Sequence, residues 1–124
     1  MALQKWSESI WVATPGTDPA FSDEVEGLST TLAHHEPPPH LVVDLEDCHH
    51  LNSSNLSQLL RLRKACADRG VQLRLAAPNN AAWSIFMTTG LDKVFSFSRD
   101  RLTALAELQM TVPADGEPGE DAEA

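Results

Sequence analysis

The stretch LVVDLEDCHHLNSSNLSQLLRLRK, residues 41–64, decides the fold. Residues 41–45 are apolar except for Asp44, which predicts a buried strand. After a short spacer, the polar segment 52–55 leads into a helix predicted over residues 55–69, with Gly70 as its stop. Its spacing predicts an inward face and an outward face, with Leu56, Leu59, Leu60, Leu62 and Cys66 inward and Gln58, Arg61, Lys64 and Asp68 outward. A strand that passes through a polar turn into a helix is typical of α/β proteins.

The rest of the chain continues this alternation. The other predicted elements are one or two short strands in 6–13, a helix carrying Phe21, Val25, Leu28 and Leu32, a strand over 71–76, a helix over 81–89, a strand over 94–97 and a helix over 100–110. We therefore predict one α/β domain over residues 1–110, with a mixed, mostly parallel sheet of four or five strands and about four helices. Residues 111–124 carry five acids and no base, which predicts a disordered acidic tail.

Charge and composition exclude several classes of protein. The net charge of −9 is concentrated in residues 1–60 and 111–124, whereas residues 61–110 are net positive. An acidic chain lacks the dominant basic footprint that nucleic acids require. No apolar run is long enough to cross a bilayer, and the first residues lack the apolar core of a signal peptide. Cys48 and Cys66 have no metal-binding spacing and are predicted to be reduced core thiols, which indicates a cytoplasmic protein without membrane insertion.

Catalysis and metal binding have weak support in the sequence. The five histidines, His34, His35, His40, His49 and His50, include adjacent pairs whose side chains point apart along an extended segment. Ser53 or Ser54, with His49 or His50 and Asp44, supplies the residue types of a hydrolase, but the Gly-x-Ser-x-Gly elbow is absent. We expect no catalytic residue, no metal site and no cofactor.

The segment Asn52-Ser53-Ser54-Asn55 allows two interpretations. A helix start leaves about four backbone N–H groups without partners, and hydroxyl or amide side chains cap them. The same position also accommodates a negative charge, including a phosphate. The residues alone leave open whether the serine pair is a cap, a phosphorylation switch or both.

In the order of its motifs, the chain resembles the STAS domain, found in bacterial anti-sigma factor antagonists and in sulphate-transporter tails. The family pattern is a strand ending in Asp-Leu, as at Asp44-Leu45, then an Asp-Ser-Ser-Gly switch, matched by residues 52–55, and a Leu/Arg-rich helix, matched by 59–64. The family pattern then continues with a strand, matched by residues 73–76, and with a Thr-Gly-Leu segment, matched by residues 89–91. The resemblance is good over residues 41–97 and looser over residues 3–35.

The resemblance implies a regulatory function in bacterial transcription. In the antagonists, the first serine of the switch is phosphorylated by the partner anti-sigma factor, a serine kinase, and a PP2C-type phosphatase reverses the modification. By position that serine is Ser53, flanked by Asn52, Ser54 and Asn55. Asn52 stands where the family has Asp, and Asn55 stands where it has Gly, so Asn55 is expected to place a side chain where the kinase approaches. The alternative is a STAS adaptor without a switch, in a transport or stress-signalling complex.

Overall fold

The computed structural model describes residues 2–111, which form five strands and four α-helices. In chain order they are β1 (Ala2–Lys5), β2 (Ile10–Thr14), α1 (Ala20–His34), β3 (His40–Asp44), α2 (Ser53–Asp68), β4 (Leu73–Ala76), α3 (Asn80–Thr89), a 3₁₀ turn (Leu91–Lys93), β5 (Ser96–Ser98) and α4 (Arg101–Thr111). The predicted α/β class is confirmed. Thr111 ends α4 rather than beginning a tail, and residues 112–124 of the predicted tail lie outside the described residues.

The strands lie side by side in the order β1-β2-β3-β4-β5. β1 pairs with β2 in the antiparallel sense, and every other neighbouring pair is parallel. Each parallel pair is connected by a helix, so α1, α2 and α3 all begin where a strand has ended. The amino ends of these helices therefore meet at the carboxyl edge of the sheet, which is where α/β proteins place their functional residues.

Two apolar cores cover the two faces of the sheet. The larger core joins α1, α2 and α3 to one face, with Phe21, Leu59 and Phe86 fully buried. The smaller core packs α4 on the opposite face, hereafter the α4 face, where Leu105 and Leu108 contact the side chains of Ile10, Val12, Val42 and Ala76. Side chains alternate between the faces along each strand, so Trp11 and Ala13 join the larger core while their neighbours join the smaller one.

Helix α2 buries Leu59, Leu62 and Cys66 as predicted, but Leu60 and Gln58 are oriented differently from the prediction. Its buried stripe runs through Asn55, Leu59, Leu62 and Cys66, at helical spacings of four, three and four residues. Leu60 lies about 100° around the helix from Leu59 and is 38% exposed, so the prediction that it is buried is wrong. Leu56 is half-buried, and Gln58 is buried rather than outward because its amide oxygen accepts a hydrogen bond from Asn55.

The last predicted strand is shorter and begins later than expected. The 3₁₀ turn extends its hydrogen bonding to Val94 and Phe95, whose N–H groups both donate to the carbonyl of Leu91. Phe95 is buried without being part of a strand, and β5 begins only at Ser96. An apolar run of this length cannot distinguish a strand from a buried turn, which explains the error.

Both cysteines are free and buried, as predicted. Burial raises the pKa of the Cys48 thiol and raises that of Cys66 to about 12, so both remain protonated and unreactive at neutral pH. No helix within residues 2–111 is long and apolar enough to cross a membrane.

Candidate functional site

The segment before α2 is fixed on both sides at the carboxyl edge of the sheet. On one side, the N–H group of His49 donates to Thr17 Oγ1 at 2.8 Å, which connects the segment to the β2–α1 loop. On the other side, Asn79 Nδ2 donates to the carbonyl of His49 at 3.3 Å while Asn79 Oδ1 caps α3. The amino end of α2 is therefore held between the amino ends of the neighbouring helices.

Two asparagines, rather than the serines, cap α2. Asn52 Oδ1 accepts the N–H group of Asn55 at 2.8 Å, and Asn55 Oδ1 accepts the N–H group of Asn52 at 3.1 Å. This reciprocal pair is a capping box, with Asn55 in the position that usually carries Glu or Gln. The possibility that the serine pair forms the cap is therefore wrong, because Asn52 occupies the position immediately before the first helical residue.

Ser53 and Ser54 are the first two residues of α2, and both are exposed. Neither hydroxyl forms a hydrogen bond to another residue within the described part of the chain. Ser53 therefore has a solvent-accessible hydroxyl beside the unpaired N–H groups of a helix start, where the positive end of the helix dipole favours an anion.

Asn55 does not project toward solvent. Its side chain is fully buried, and its amide nitrogen donates to Gln58 Oε1 at 3.2 Å and to Asp18 Oδ2 at 3.0 Å. The expectation that Asn55 obstructs the approach of a partner is therefore wrong.

Asp18, in the β2–α1 loop, completes the site. One carboxylate oxygen accepts hydrogen bonds from the Ser22 N–H group at 2.8 Å and from the Ser22 hydroxyl at 2.7 Å. The other accepts from the side-chain amides of Asn52 at 2.9 Å and Asn55 at 3.0 Å. The Ser22 hydroxyl, followed by the Asn52 amide, lowers the pKa of Asp18 from its usual 3.8 to about 2. Asp18 is therefore ionised throughout the physiological range.

Sequence reasoning missed Asp18. A signal existed, because an Asp just before the first turn of a predicted helix is a helix-start residue, and Asp18 does bond to Ser22 in this way. The hydrogen bond that Asp18 accepts from Asn52 could not be predicted, because the two residues lie 34 positions apart in the sequence. Glu46 and Asp47, in the segment between β3 and α2, are also exposed, and Glu46 lies 3.9 Å from the guanidinium of Arg101.

The residues proposed for hydrolysis do not converge. Asp44 points to the α4 face, where Arg101 Nε donates to it at 2.9 Å, and it is 1% exposed. His49 and His50 are exposed, and neither contacts a serine hydroxyl in the described part of the chain. Within residues 2–111 there is also no group of three or more His, Cys, Asp or Glu side chains placed to hold a metal ion.

The fold is that of a small α/β domain, and comparison with known proteins identifies its family. The model of the STAS domain matches residues 4–104, so the chain belongs to the STAS domain family. No curated protein matches the sequence significantly.

Solved structures share the fold at low sequence identity. A serine-to-glutamate variant of RsbS from Moorella thermoacetica superposes with a TM-score of 0.75 at 16% identity, covering 89% of this chain and 95% of that one. An anti-sigma-factor antagonist (STAS) domain protein from Planctomyces limnophilus gives 0.69 at 15% identity, covering 80% and 90%. The STAS domain of a SulP transporter from Vibrio cholerae gives 0.69 at 14% identity, covering 83% and 85%.

Proposed function

We propose that this chain is a bacterial anti-sigma factor antagonist that binds an anti-sigma factor and is switched by phosphorylation of Ser53. The observation that supports this proposal best is the position of the Ser53 hydroxyl, which is exposed, makes no hydrogen bond among the described residues and lies at the first turn of α2. The cap of α2 is formed by Asn52 and Asn55, so Ser53 is available for modification without loss of the helix start.

The switch would act through charge. The anti-sigma factor, as a serine kinase, transfers the γ-phosphoryl group of ATP to Ser53 Oγ, and a PP2C-type phosphatase returns the free hydroxyl by hydrolysis. A phosphate adds a charge of about −1.5 to −2 at neutral pH. The α2 dipole tolerates this charge, so the fold persists. The surface around Ser53, next to the Asp18 carboxylate that Asn52 holds, becomes more negative, and the partner dissociates through like-charge repulsion.

In this proposal the chain catalyses no reaction and is the substrate of both enzymes. It acts in the cytoplasm, where buried thiols such as Cys48 and Cys66 remain reduced. Transcription is affected indirectly, because binding of the anti-sigma factor by this chain frees a sigma factor.

The test uses the serine-kinase anti-sigma factor encoded nearest to the gene of this protein. Mass spectrometry after incubation with this kinase and ATP should find one phosphate, on Ser53. Ser53→Asp should weaken binding by about tenfold or more, since like charges at an interface cost several kcal/mol. Ser53→Ala should bind but resist the switch. Ser57→Asp is the matched control, because Ser57 is exposed one turn further along α2.

The second candidate function is a STAS adaptor that binds constitutively in a transport or stress-signalling complex. The uncharged Asn52, which stands where the switch motif has Asp, favours it, and the shared fold with a SulP transporter domain agrees with it. Absence of phosphate on Ser53, together with unchanged binding of Ser53→Asp, would replace the switch by this adaptor function.

A further inference from the structure

The two departures from the switch motif meet on one carboxylate. The motif residues Asp and Gly carry no side-chain amide, whereas Asn52 and Asn55 each provide one. Both amides donate to the same oxygen of Asp18, at 2.9 and 3.0 Å. The site thus keeps one negative charge next to Ser53, but the charge is carried by the β2–α1 loop rather than by residue 52.

The arrangement couples two parts of the chain that are distant in sequence. The Asn52 side chain uses its oxygen to cap α2 and its nitrogen to hold Asp18. The Asp18 carboxylate in turn holds the first turn of α1 through the N–H group and hydroxyl of Ser22. Any group that takes the Asn52 amide away from Asp18 therefore loosens the contact between the β2–α1 loop and α2.

We propose that Asp18, Asn52 and Asn55 form a clamp that phosphorylation of Ser53 opens. This inference rests on the proposed function, because it concerns the same serine. The phosphate follows Asn52 by one residue and carries more negative charge than a carboxylate, so it competes for the Asn52 amide. It also repels the ionised Asp18. Both effects act in the same direction, and the β2–α1 loop separates from the start of α2.

Opening of the clamp would couple the charge added at Ser53 to a change in the shape of the surface formed by the β2–α1 loop and the start of α2. In the unmodified protein, the loop is held against the start of α2, and a partner contacts the two as one surface. After phosphorylation, residues 15–19 keep the contact of Thr17 with the His49 N–H group but lose the contact of Asp18 with α2. The partner then meets a displaced loop as well as an added charge.

The experiment installs phosphoserine at residue 53 during translation of the full chain, so no kinase is required. The pKa of the Asp18 carboxyl, measured by NMR, should rise from about 2 toward 3.8. Hydrogen exchange of the buried Asn55 side-chain amide, which donates to Asp18, should become about tenfold faster or more, as expected for loss of a hydrogen bond to a charged group. Phosphoserine at residue 57 is the control, because it adds the same charge one turn away.

The clamp is refuted if phosphoserine at residue 53 changes the Asp18 pKa and the exchange of the Asn55 side-chain amide no more than phosphoserine at residue 57 does. A second variant removes the clamp in advance: in Asp18→Asn, phosphoserine at residue 53 should no longer alter the exchange of the Asn55 side-chain amide. If it still does, Asp18 does not transmit the effect. Failure of a kinase to modify Ser53 would refute the proposed function but would leave this result unchanged.

Discussion

Two aspartates near the carboxyl edge of the sheet, Asp18 and Asp44, are held in different ways. Asp44 is 1% exposed and pairs with Arg101 at 2.9 Å on the α4 face. Asp18 is partly exposed and has no cation among its hydrogen-bond partners in the described chain, only neutral amides and Ser22. Water can stabilise Asp18, whereas a buried carboxylate such as Asp44 needs a cation. The comparison shows that burial determines which kind of partner a carboxylate requires.

The two aspartates also differ in what they connect. The Arg101 side chain bridges Asp44 and, at 2.8 Å, the hydroxyl of Thr14, so the start of α4 is fixed to two central strands. The carboxylate of Asp18 connects two helix starts at the surface. We infer that the first contact maintains the fold, whereas the second can open without unfolding the domain.

The largest effect is expected at the buried pair. Arg101→Met leaves the buried Asp44 carboxyl group without its cation, which should lower the free energy of unfolding by about 3 kcal/mol. Urea unfolding at neutral pH measures this change. Arg99→Met is the matched control, because the Arg99 side chain is 87% exposed, and it should change the stability by less than about 0.5 kcal/mol. Equal effects for the two variants would mean that Asp44 is not held as we describe.

An intermediate effect is expected at the cap of α2. Asn52→Ala removes the acceptor for the Asn55 N–H group and should cost about 1–2 kcal/mol. Ser53→Ala removes an exposed hydroxyl that caps nothing and should change the stability by less than about 0.5 kcal/mol. Urea unfolding of the two variants side by side measures the difference. A larger loss for Ser53→Ala would assign the cap to the serine after all.

Much of the fold could be predicted because its signals are local. The apolar run of β3, the spacing of Phe21, Val25, Leu28 and Leu32 in α1, and the stop of α2 at Gly70 each depend on a few neighbouring residues. The positive φ of 72° at Gly70 is a conformation that glycine adopts without strain, which explains its place after α2.

The candidate site could be predicted only in part. The position of Ser53 follows from the motif order, and the structure places it at an exposed helix start. The direction of the Asn55 side chain could not be predicted, because it depends on Asp18 and Gln58, and only folding brings Asp18 to that position. A motif identifies which residue type occupies a position, whereas the contacts of that side chain depend on segments that are distant in the sequence.

The smallest effect is expected from the pH dependence of Asp18, because a partly exposed carboxylate is also stabilised by water. Its pKa is about 2 in the folded protein and is taken as 3.8 in the unfolded chain. Between these values the unfolded chain binds a proton that the folded protein does not, so this contribution to stability is complete above pH 3.8 and is lost as the pH falls toward 2. Asp18→Asn should flatten this part of the curve of unfolding free energy against pH, measured with urea. Asp23→Asn, which removes an exposed carboxylate of α1, should retain the slope. If both variants give the wild-type curve, the hydrogen bonds from Ser22, Asn52 and Asn55 do not stabilise the charge of Asp18, in contrast to the ion pair that holds Asp44.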